Sequence, residues 1–66
     1  MEILINGREK RLETPLNLSG LLALLELEPQ KVAVERNLEI VPKSLYEDTE
    51  LSDGDRIEIV QFVGGG

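Results

Sequence analysis

The sequence predicts an α+β domain: a mixed sheet of four to five strands packed on one main helix. Three observations carry that prediction. A single leucine-rich stretch, "NLSGLLALLELEP", has helical period; short stretches with β-branched or alternating apolar residues stand at both ends and in the middle; and Asn6-Gly7 and "SDGD" are strong turn signals. With one helix to supply crossovers, a doubly wound parallel sheet is excluded.

Taken in order, "MEILI", "NG" and "REKRLE" read as strand, tight turn and strand, because Asn-Gly supplies the positive φ angles of a two-residue hairpin. Alternation puts Ile3 and Ile5 on one face and Leu4 on the other. "TPL" breaks the pattern. Asn17 then reads as a helix N-cap, with Leu16 and Leu21 at the flanking staple positions. Leu18, Leu21, Leu22 and Leu25 form one apolar stripe, and Pro29 is expected to stop the helix soon after Leu27. Gly20 is out of place in a helix, costing about 1 kcal/mol relative to Ala, with no local reason visible in the sequence. "KVAVERN" reads as a third strand, followed by a turn at Asn37 and a short strand "EIV" that Pro42 ends. "KSLYEDTEL" has no clear period, and "RIEIVQFV" alternates into a last strand. The compact solution lays the leucine stripe over one sheet face, with the first and last strands adjacent in the middle. That is the β-grasp arrangement, expected over residues 1–63, with residues 64–66 as a flexible glycine tail.

Composition narrows the function. A 66-residue domain buries only about 60% of its unfolded surface, which argues against a deep catalytic cleft. Thirteen acidic against seven basic residues give a net charge of -6 with no basic cluster, against nucleic-acid binding. No apolar run approaches the roughly 18 residues of a membrane span, and "MEILING" lacks the features of a signal peptide, so the expected location is the cytoplasm, with no membrane partner. Without cysteine there is neither a disulfide framework nor a thiolate metal site.

Chemically, the chain has neither His nor Cys, so the usual base near neutral pH and the strongest nucleophile are missing. No base is marked out to activate Ser19, Ser44, Ser52, Thr14, Thr49 or Tyr46, which argues against an autonomous enzyme. Glu47, Asp48, Glu50, Asp53 and Asp55 are oxygen donors without the spacing of a twelve-residue calcium loop; no metal and no bound cofactor are expected. The run "GGG" has no following helix or adjacent Lys, as a phosphate loop would. What remains is the end, "QFVGGG". Gly64, Gly65 and Gly66 carry no Cβ, so this segment can enter a narrow channel and present a carboxylate at its tip. A flexible tail without function is the plainer reading of the same glycines.

The opening "ILING", the middle "VAVERNLEIVP", the turn "DGD" and the end "IEIVQFVGGG" together make the chain resemble the small ubiquitin-like sulfur carriers, in particular those of thiamine (thiazole) biosynthesis. The resemblance spans essentially the whole chain. It implies a β-grasp fold and a carrier that is a co-substrate of partner enzymes. Gly66 would be adenylated by a ThiF-like enzyme that uses ATP, then converted to a thiocarboxylate with sulfur from a sulfur-donor protein. A ThiG-like thiazole synthase would accept the sulfur. By position Gly65 and Gly66 match the family's terminal pair, and Gly64 is an additional glycine. The small subunit of molybdopterin synthase looks similar in fold and tail, although its relatives tend to be longer. A passive binding module is the alternative of a different class.

The partner surface follows from alternation. If Ile57 and Ile59 face the helix, then Glu58, Val60 and Phe62 face away, on a sheet face that no second helix covers. Leu4 is out of phase with Ile3 and Ile5 and is expected on that face too, forming one apolar partner-binding patch with Val60 and Phe62.

Overall fold

A computed structural model of the chain describes residues 1–62. Gly64, Gly65 and Gly66, and the expected boundary after residue 63, lie outside the described residues.

Strands β1 (Glu2–Ile5) and β2 (Arg8–Arg11) form the expected hairpin, with Asn6 at φ 50 and Gly7 at φ 82. Helix α1 (Leu18–Leu24) begins at the expected cap. The Asn17 side-chain oxygen accepts from Gly20 N–H at 2.7 Å, while Leu18 and Ser19 N–H donate to the Thr49 and Tyr46 carbonyls at 2.8 and 3.2 Å. These three N–H groups have no acceptor within the helix, and the loop after residue 42 supplies two of the acceptors they need. The crowding at this cap accounts for Gly20: a Cβ there would stand 3.0 Å from Leu16 Cδ2 and 3.2 Å from Asn17 Oδ1.

The helix stops earlier than the leucine stripe suggests, and Pro29 is not what stops it. Glu26 takes φ 60, with its N–H on the Ala23 carbonyl at 3.0 Å and Leu27 N–H on Leu22 at 2.9 Å. That pair of bonds is a Schellman ending, with Glu at the left-handed position that glycine fits best. Pro29 instead opens a 3-10 turn (Pro29–Lys31).

Strands β3 (Val32–Arg36) and β4 (Glu39–Val41) form a second hairpin through Asn37 and Leu38, at φ 52 and 72. The stretch without clear period is a 3-10 turn (Lys43–Leu45) and a loop that sends Tyr46 into the core. Strand β5 (Arg56–Gln61) closes the sheet in the order β2-β1-β5-β3-β4, parallel to β1 and antiparallel to β3. Ile3, Leu18, Leu21, Leu22, Val32, Val34 and Ile57 are almost wholly buried between sheet and helix. The α+β class, the five-stranded mixed sheet and the central position of β1 and β5 are as the sequence predicts.

The start of β5 is fastened by Asp55. Its carboxylate, almost wholly buried, accepts from Ser52 N–H at 2.8 Å, Arg36 Nε at 3.0 Å and Asn37 Nδ2 at 3.1 Å. Burial pushes this carboxyl up, but those hydrogen bonds, with the charge of Arg36, outweigh it and hold the group below its ordinary value. The "SDGD" turn is thus more than a turn: its last residue ties the β3–β4 hairpin to the start of β5.

Candidate functional site

The other end of β5 is built differently. Ile57 is buried and Ile59 packs against the core, while Val60 and Phe62 stand 62% and 54% exposed on the opposite face, as alternation requires. On one side β3 accompanies β5 to its end, through Val32 opposite Gln61 and Phe62 N–H on the Lys31 carbonyl at 2.8 Å. On the other side β1 stops at Ile5, opposite Ile57. Asn6 carries the ladder one step further. Its backbone N–H reaches the Ile57 carbonyl at 2.9 Å, and its side-chain amide takes both backbone groups of Ile59, accepting at 2.8 Å and donating at 3.2 Å. Past Ile59, β5 therefore runs beyond its parallel neighbour.

This geometry separates Leu4 from the other two expected patch residues. Leu4 is half-buried and sits opposite Arg56. Val60 and Phe62 lie four and six residues farther along β5, roughly 13 and 20 Å at the rise of a strand. The apolar neighbours of Val60 are instead Ala33, its register partner, and exposed Ile40 on β4. Ala33, Glu35, Ile40, Glu58 and Val60 line one shallow depression on the open face. Glu35 and Glu58 are register partners within it, an unfavourable juxtaposition of like charges directly across a ladder. Alternation in "VAVER" puts Ala33 and Glu35 opposite the buried Val32 and Val34, so these residues were legible. What the sequence alone did not supply was the β3–β5 register that brings them beside Val60.

One further side chain reaches this end of the sheet. The β3–β4 register, Val34 opposite Val41, would place Lys43 opposite Val32 had β4 continued beyond Pro42. The Lys43 ammonium donates to the Val32 carbonyl at 3.0 Å and lies 5.4 Å from the centroid of the Phe62 ring.

The described residues also include the acids and the tyrosine that the sequence offered as chemical groups. Among them no group of three or more His, Cys, Asp or Glu is arranged to hold a metal ion. Tyr46 is buried in the core, where desolvation raises its pKa. No helix among them is long and apolar enough to cross a membrane.

Comparison with known proteins agrees with this architecture. The crystal structure of a thiamine biosynthesis protein (ThiS) from Geobacter metallireducens superposes with a TM-score of 0.86 at 32% identity, covering all of both chains. The sulfur carrier protein ThiS of Bacillus subtilis is 46% identical over 63 residues, 94% of this chain and 96% of that protein. A thiazole synthase of Paramagnetospirillum magneticum is 50% identical over all 66 residues, but the chain spans only 20% of that protein's length. A family model described as "ThiS family" matches residues 3–66, which includes the three glycines. The chain, a β-grasp domain with its helix on one sheet face and an open surface at the end of its last strand, belongs to the ThiS family.

Proposed function

We propose that the chain is a sulfur carrier of thiamine biosynthesis and that the carboxyl group of Gly66 is the group that carries the sulfur. The observation that supports this most is the family match running through residue 66, on a domain with only Phe62 and Val63 between its last strand and the glycines. The carrier performs no catalysis in this reading. A ThiF-like enzyme joins the Gly66 carboxylate to the adenylyl group of ATP with release of pyrophosphate. A hydrosulfide equivalent from a sulfur-donor protein attacks the acyl carbon, AMP departs, and a thiocarboxylate remains. A ThiG-like thiazole synthase then takes the sulfur, a partnership supported by the thiazole synthases that carry a similar domain as about one fifth of their length.

The domain's own contribution is docking and reach. Val60 and Phe62, with Ala33 and Ile40, offer apolar surface on the open face towards the end of the last strand, and Glu35 and Glu58 favour a basic partner surface. Binding should accordingly weaken as salt is added. Leu4, outside this patch, sits at the edge of the docking surface or beyond it.

The test is adenylation of purified carrier by the ThiF-like enzyme, followed as pyrophosphate release. Wild-type chain should be a substrate, while deleting Gly66 or adding one residue after it should abolish release and leave circular dichroism unchanged. Equal turnover of the extended chain would overturn the assignment to Gly66.

A further inference from the structure

We infer that Lys43 is a positioning residue for partner engagement: it holds the Phe62 ring in place and so fixes the point from which the reactive segment starts. This rests on the function proposed above. The Lys43 ammonium does two things at once. It supplies the Val32 carbonyl with the donor that β4 would have provided had it not ended at Val41 before Pro42. It also presents its charge to the Phe62 ring, 5.4 Å from the centroid. Phe62 is the last described residue before the glycines, and its N–H is bound to the Lys31 carbonyl. One cation thus spans from the end of β4 across β3 to the residue that follows β5.

No competing role for the ammonium stands nearby, since among the described residues no carboxylate forms an ion pair with Lys43. The arrangement matches what Asn6 does on the other side of β5, where a side chain likewise takes over from a strand that has ended. The two devices differ in consequence. Asn6 completes a backbone ladder, whereas Lys43 reaches an exposed aromatic side chain that gains nothing for the core. Holding that ring in its bound orientation before the encounter lowers the ordering cost of docking, so the effect belongs in binding rather than in chemistry.

The experiment is a double-mutant cycle read in the adenylation assay. Lys43→Met keeps the stem and removes the charge; it should raise KM for the carrier roughly two- to fivefold, the range of an exposed cation–π contact, with kcat unchanged. Lys43→Arg should restore the wild-type KM. In a Phe62→Leu background Lys43→Met should add nothing, because the ring it acts through is gone. In parallel, the ring-proton shifts of Phe62 in the free carrier should move in Lys43→Met and return in Lys43→Arg. An unchanged KM in Lys43→Met, or an equal increase with and without the Phe62 ring, would overturn the inference. A fall in kcat alone would do the same. If the wild-type carrier is not adenylated at all, the failure lies with the proposed function, and the shifts of Phe62 still decide whether Lys43 holds the ring.

Discussion

The two ends of β5 are four to six residues apart and obey opposite rules. At the Arg56–Ile57 end the strand is flanked by β1 and β3, Ile57 has no exposed surface, and the preceding Asp55 draws three donors onto one buried carboxylate. At the Gln61–Phe62 end β1 is gone, the side chains on the open face are exposed, and the remaining order comes from β3 and from Lys43. One strand therefore serves as the fold's central fastening at its start and as the arm leading to the glycines at its finish. A small domain can thus fasten one end of a strand into its core and leave the side chains at the other end exposed.

The largest expected loss is at the fastened end. Ile57→Ala should cost about 3–4 kcal/mol, the usual loss for a fully buried isoleucine, measured by urea denaturation. That is much of the stability of a domain this small. Asp55→Ala comes next, at about 2–3 kcal/mol, because it leaves the Ser52 N–H and the Asn37 amide without their acceptor; the figure is held down by the partial exposure of Arg36. Its folded-state pKa lies below the unfolded one, so this stabilisation is fully present above the ordinary carboxylate value of 3.8 and is lost as pH falls through the lower folded value. Replacing Asp55 should flatten the stability profile in that acid range, as followed by melting temperature against pH. An unchanged acid limb would mean that other carboxylates control it.

At the exposed end the expectation is reversed. Val60→Asp or Phe62→Asp should weaken binding to the activating enzyme about tenfold or more, as charge placed in a docking core does, while stability moves by less than about 0.5 kcal/mol. Calorimetric titration and thermal melting together check it. Loss of folding in both variants would mean that the two faces of β5 are assigned the wrong way round. The smallest effect lies away from both ends: Glu26→Gly should stabilise the domain by about 0.5–1 kcal/mol by relieving a left-handed residue at the helix ending.

How legible this was in the sequence divides along the same strand. Local chemistry was readable: Asn6-Gly7 for the hairpin, Asn17 for the cap, and the alternation that exposes Val60 and Phe62. Register was not. Leu4 was rightly separated from Ile3 and Ile5, but only the pairing of Leu4 with Arg56 reveals how far it stands from Val60. Asp55 looked like turn chemistry, since a turn signal does not say which of its carboxylates will meet Arg36, nineteen positions away. Glu26 could not announce a helix ending that sequence rules associate with glycine, and Pro29 drew attention to itself from outside the helix. For Leu4 and Asp55 the missing information was a contact between distant segments; for Glu26 it was a left-handed backbone at a residue other than glycine.

Sulfur is expected on the carboxyl group of Gly66. Intact-mass spectrometry of the chain isolated from sulfur-replete cells, with fragmentation to locate any change, tests this most directly. It should find a fraction in which one oxygen has been exchanged for sulfur, confined to the fragment that contains Gly66. An unmodified mass throughout, in cells actively making thiamine, or sulfur on any residue before the glycines, would contradict it.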